Sequence, residues 1–104
     1  MHRGEIWWAD LPKPTGRRPV LILTRDEAVR VRDYITIAEL TTNIRHISTE
    51  VLLKKEDSLP KECVVNLDVV NTIPKELITE YITRLSDEKL QVVEKALKFA
   101  LDLS

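Results

Sequence analysis

The chain has 104 residues, with 16 Lys and Arg against 17 Asp and Glu, 43% hydrophobic and 32% charged residues, and a single cysteine. That balance fits one globular domain spanning 1–104 and excludes a disordered chain, a disulfide-stapled mini-protein and a uniformly basic nucleic-acid binder. No apolar run reaches the roughly 20 residues of a membrane span and the N-terminus carries no secretory h-region, so a cytoplasmic chain with no membrane partner is expected.

Residues 4–11 (GEIWWADL) read as a first strand, ended by the Pro- and Gly-rich loop 12–16 (PKPTG). The run 20–24 (VLILT) after Pro19 is short and wholly apolar, as a buried strand is. Residues 25–30 suit a turn or one helical turn, and the alternation over 34–40 (YITIAEL) predicts a strand. Two more strands are expected at 50–53 and 63–67, separated by a charged loop that ends at Leu59 and Pro60, and a further short one at 69–73. The C-terminus predicts an amphipathic helix. Ser86 is its N-cap, Asp87 and Glu88 occupy the first turn, and Lys95 and Lys98 lie toward the end. Leu90, Val93, Leu97, Ala100 and Leu101 fall on one face. Several short strands and one terminal helix define a β-rich α+β chain, a small barrel-like sheet under a covering helix.

The neutral total hides a segregated layout. Seven of the eight arginines fall at or before position 45, whereas seven of the eight lysines fall after 53. From Lys13 to Arg32 six basic residues face two acidic ones. Guanidinium groups grip phosphate through a planar fork, so this half suggests an anion-binding front.

Most catalytic chemistries lack their residues. Two histidines and one cysteine do not make a structural zinc site. Two glycines, Gly4 and Gly16, leave no phosphate-cradling loop, and no nucleophile elbow accompanies His46 for a hydrolase triad. Cys63 lies in an apolar strand pattern and reads as core. An enzyme built from these residues works without metal or nucleotide cofactor. Cleavage of RNA meets that condition, because the substrate carries its own nucleophile, the 2′-OH.

The stretches 3–11 (RGEIWWADL), 16–23 (GRRPVLIL), 40–43 (LTTN), 48–51 (STEV), 63–68 (CVVNLD), 72–75 (TIPK) and 82–86 (ITRLS) occur in an order and spacing that resemble the MazF/PemK family of toxin endoribonucleases. The resemblance spans nearly the whole chain. It implies a small SH3-like β-barrel with a C-terminal helix. It also implies a metal-independent endoribonuclease that cuts single-stranded RNA to 2′,3′-cyclic phosphate and 5′-hydroxyl ends and arrests translation. A homodimer and a cognate antitoxin are the implied partners, with no cofactor. The chain departs from the family in its short loop at 12–16, where relatives often carry a longer stretch that helps enclose RNA.

Arg18 matches the family's catalytic arginine. Its fixed positive charge suits stabilisation of the phosphoryl oxygens as the 2′-oxygen attacks phosphorus, with proton donation to the leaving 5′-oxygen as a further role. An arginine is always protonated, so it is a poor general base. Thr41 matches the catalytic threonine, placing a hydroxyl on the phosphate or against the arginine. Lys13, Arg17, Thr42 and Asn43 are the candidate RNA contacts, with Arg17 expected to point away if Arg18 faces the cleft. Trp7 and Trp8, adjacent on a strand, must face opposite sides. Two other readings remain: a non-enzymatic gyrase-poisoning toxin of the related barrel fold, and an inactive SH3-like binding module.

Overall fold

In the computed structural model, which describes residues 1–104, alternation along the strands creates two apolar faces on one sheet. The strands are β1 (Glu5–Asp10), β2 (Arg17–Ile22), β3 (Tyr34–Thr41), β4 (Glu50–Leu53), β5 (Cys63–Pro74) and β6 (Ile78–Arg84). Helix α1 (Asp26–Val31) links β2 to β3, and helix α2 (Asp87–Ala100) closes the chain. Every pairing is antiparallel, and the order is β4-β5-β3-β2-β1-β6. Register shifts interrupt the β1–β6 and β3–β5 ladders. Such bulges bend strands and increase twist, giving a barrel-like sheet whose end strands, β4 and β6, do not pair with each other. The β-rich α+β fold with its C-terminal helix agrees with the sequence reading.

On one face Ile6, Leu21, Ala38, Leu40, Val51, Leu53, Val65 and Leu67 meet Val93 and Ala96 of α2. On the other, Val20, Ile22, Ile35, Ile37, Ile73 and Ile78 gather with Val29 of α1, and Trp7 packs against them. Trp8 leaves β1 on the first face, as the strand period requires. Helix α2 lies over β4 and β5. Its N-cap is Ser86, whose hydroxyl accepts the Lys89 N–H at 3.1 Å. Val93 is fully buried on the expected face, a burial worth about 1.5–3 kcal/mol. Leu101 falls outside the helix and is exposed. Gly4, at φ +89°, lets the chain enter β1 directly beneath Leu90 of that helix.

Two strand readings change, and one strand, β6, has no sequence reading at all. β2 begins at Arg17 rather than at 20, which puts both adjacent arginines on the strand. The two strands expected at 63–67 and 69–73 are one, β5: Asp68 breaks the apolar pattern but not the strand, its carboxylate accepting the Thr49 hydroxyl at 2.6 Å. β6 carries no clean alternation because it is an edge strand with mostly exposed residues.

Candidate active site

The site grows out of the register between β2 and β3. Val20 pairs with Glu39, Leu21 with Ala38 and Ile22 with Ile37. Continued two residues toward the end of the strands, that register sets Arg18 across from Thr41. Pro19 has no N–H to donate, and the β2–β3 ladder starts only after it, so the sheet opens at this end. Arg18, Glu39 and Thr41 occupy alternate positions and share one face. They line a groove of about 210 Å³ together with Asn43, Arg45, Asn66 and Val69.

Each wall has a local cause. The Thr41 hydroxyl accepts the Asn43 N–H at 3.1 Å, a turn that ends β3 and carries Asn43 over the groove. Its own O–H remains available as a donor. Arg45 is anchored by Glu50, whose carboxylate accepts the Arg45 backbone N–H at 2.8 Å and its Nε–H at 3.2 Å. Glu50 itself is almost wholly buried. Asn66 is buried, with its side-chain oxygen taking the Asp68 N–H at 3.0 Å. One guanidinium nitrogen of Arg18 lies 3.5 Å from a Glu39 carboxylate oxygen, with the two side chains 34% and 16% exposed. The other Glu39 oxygen faces the Asn71 amide at 3.5 Å. The groove therefore presents two guanidinium groups, a hydroxyl, two amides and one carboxylate around a volume open to solvent.

The remaining sequence candidates lie elsewhere. Arg17 points to the opposite face, bound to Asp10 at 3.2 Å and Glu80 at 3.1 Å, with its guanidinium 4.9 Å above the Trp8 ring. Lys13 is exposed in the loop between β1 and β2. Thr42 faces the neighbouring slot walled by Trp8, Pro19, Leu40, Leu59 and Cys63, which Thr41 also lines, and not the groove of Arg18. So Arg18, Thr41 and Asn43 come together, whereas Lys13, Arg17 and Thr42 do not join them. His46 is exposed in the loop before β4 and does not line the groove. Cys63 is buried, and that burial, helped by the nearby Asp57, pushes its thiol pKa up. A roomier cleft of about 480 Å³ between α1 and the end of α2 holds none of the candidates. Sequence reasoning passed over Glu39, Arg45 and Asn66. For Glu39 a signal existed: it continues the Ile35, Ile37 stripe that ends at Thr41, a carboxylate where a buried strand face should be apolar.

A small six-stranded sheet covered by a C-terminal helix, with an arginine and a threonine hydroxyl at an open strand end, makes a barrel-like β fold with a polar groove. The chain belongs to the PemK-like, MazF-like toxin family of type II toxin–antitoxin systems, whose pattern matches residues 2–101. A probable endoribonuclease, MazF5 of Mycobacterium tuberculosis, is 36% identical over 103 residues, 98% of this chain and 94% of that protein. The solved toxin MazF-mt6 of the same organism superposes with a TM-score of 0.89 at 32% identity, covering 96% of this chain and 98% of that one. A mycobacterial endoribonuclease solved with its cognate antitoxin matches at a TM-score of 0.89 and 28% identity, over 100% of this chain and 97% of that one. The family and the enzyme class of these relatives are those expected from the sequence. No helix of the chain is long and apolar enough to cross a membrane.

Proposed function

We propose that this chain is an endoribonuclease toxin that cuts single-stranded RNA without a metal ion and without the ribosome, the whole of 1–104 acting as one catalytic domain. The observation that carries the reading is that Arg18 and Thr41 line one polar groove where β2 and β3 part. The 2′-oxygen attacks the adjacent phosphorus, the bond to the 5′-oxygen breaks, and the products are a 2′,3′-cyclic phosphate and a 5′-hydroxyl. Negative charge builds on the phosphoryl oxygens during that step. The Arg18 guanidinium opposes it, and the Thr41 hydroxyl donates a hydrogen bond to it. Asn43 contacts the nucleotide in the groove. Lys13, Arg17 and Thr42 serve RNA that continues past the groove around the end of β1 and β2. The toxin acts in the cytoplasm as a homodimer, arrests translation, and is neutralised by a cognate antitoxin, in keeping with the family and with the relative solved in such a complex. Incubation of the purified chain with long RNA in EDTA, followed by end mapping, tests this. Discrete cuts with 5′-hydroxyl ends are expected. RNA left intact refutes the reading, and stalled gyrase–DNA complexes formed instead identify a non-enzymatic toxin.

A further inference from the structure

Attack by a 2′-OH requires that its proton go somewhere, and the two residues above do not take it. Arginine is always protonated, and a threonine hydroxyl is a donor whose own proton leaves only at very high pH. Among the side chains that wall the groove, Asn43, Asn66 and Val69 are not proton acceptors of this kind, and Arg45 is a cation held by Glu50. Glu39 alone remains. It shares a strand face with Thr41, stands diagonal to Arg18 across the β2–β3 pair, and has its carboxylate held between the Arg18 guanidinium and the Asn71 amide, each at 3.5 Å. A carboxylate only 16% exposed at the wall of this groove would repel a substrate phosphate, and its partners there are Arg18 and the Asn71 amide. Neither partner closes a short hydrogen bond on it, so the oxygens keep lone pairs free for a proton.

We propose that Glu39 is the general base of the reaction, an inference that rests on the endoribonuclease reading above. The Glu39 carboxylate takes the 2′-OH proton as the 2′-oxygen bonds to phosphorus. The bond to the 5′-oxygen breaks, that oxygen takes a proton from solvent water in the open groove, and Glu39 then returns its proton to water. Arg18 balances charge throughout and is not consumed.

The test is Glu39→Gln in the full-length protein on RNA, with rates measured against pH beside those of wild type and Arg18→Ala. The amide keeps the size and the contacts to Arg18 and Asn71 but accepts no proton. Loss of the base lowers kcat by about 10²–10⁴-fold. Binding of an all-2′-deoxy oligonucleotide, which cannot be cut, reports that the variant is folded and is expected to be equal or tighter, since a negative charge has gone. In wild type, kcat should fall as pH is lowered, and that acid limb should vanish in Glu39→Gln. The charged groups facing Glu39 are Arg18 from β2 and, across the groove, Arg45. Glu39→Asp should keep the limb at a reduced rate. A Glu39→Gln enzyme that cuts at wild-type rate or faster overturns the proposal while leaving the endoribonuclease reading intact. So does a flat wild-type profile, which needs no variant. A wild-type chain that cuts no RNA overturns the broader reading instead.

Discussion

Replacing Arg18 with alanine separates chemistry from folding. The side chain is 34% exposed and its one carboxylate neighbour, Glu39, lies 3.5 Å away. A loose, partly exposed pair at 3.5 Å contributes about 1 kcal/mol to stability. For a domain near this size, that lowers Tm by roughly 4–8 °C per kcal/mol. Against an unfolding free energy of roughly 5–15 kcal/mol, the variant stays almost wholly folded at 25 °C. Its catalytic loss is larger. Removing one preorganised donor from a developing oxyanion costs about 10²–10³-fold in kcat, or roughly 2.7–4 kcal/mol. The expected result is a protein with a near-native melting curve and cleavage slowed at least a hundredfold. The assay is single-turnover cutting of a defined RNA in EDTA, with 5′-hydroxyl ends quantified and a parallel thermal melt. Cleavage within a few-fold of wild type refutes the role of Arg18. A collapse of Tm that tracks the lost activity refutes the separation of site from fold.

Three further outcomes follow from the structure. Thr41→Val keeps the shape and removes the hydroxyl, so kcat should fall about 10²-fold with KM little changed, and Thr41→Ser should restore most of it; a Val variant as active as wild type refutes that role. Gly4→Ala places a Cβ 3.1 Å from Leu90 at a backbone φ of +89°, which should cost about 1–3 kcal/mol, and an unchanged Tm contradicts it. The Arg3 backbone N–H donates to the Asp26 carboxylate at 2.7 Å, and nearby His2, Arg84 and Arg30 add positive charge. Together they hold its pKa below the ordinary 3.8. That contribution to stability is full above the ordinary value and is lost as pH falls through the lowered one. Urea midpoints should therefore show wild type losing its advantage over Asp26→Asn below about pH 4. A pH-independent difference between the two proteins rejects the linkage.

Local chemistry alone specified a good deal of this molecule. Ser86, the acidic first turn and the spacing of Leu90, Val93 and Leu97 determined α2, because helix caps and periodicity act within a few residues of chain. β4 was legible at 50–53 for the same reason, its four residues alternating between buried and half-buried. The adjacency of Trp7 and Trp8 dictated opposite faces without any knowledge of what each would meet. Other features belonged to the tertiary structure. β6 has little alternation to read, since an edge strand is wet along most of its length. The continuity of β5 through Asp68 depends on Thr49, nineteen residues away, supplying a hydroxyl to a carboxylate that by itself looks like a strand breaker. The site divides in the same way. Resemblance pointed to Arg18 and Thr41, residue by residue, but their meeting in one groove depends on a cross-strand register between segments about twenty residues apart in sequence. That same register turned Arg17 onto the far face, against Asp10, Glu80 and Trp8, although it neighbours Arg18 in the chain. It also drew Glu39 to the groove wall. A side chain's type is written in the sequence; which charges it confronts is decided only when strands pair, because pairing sets the face and the neighbours at once.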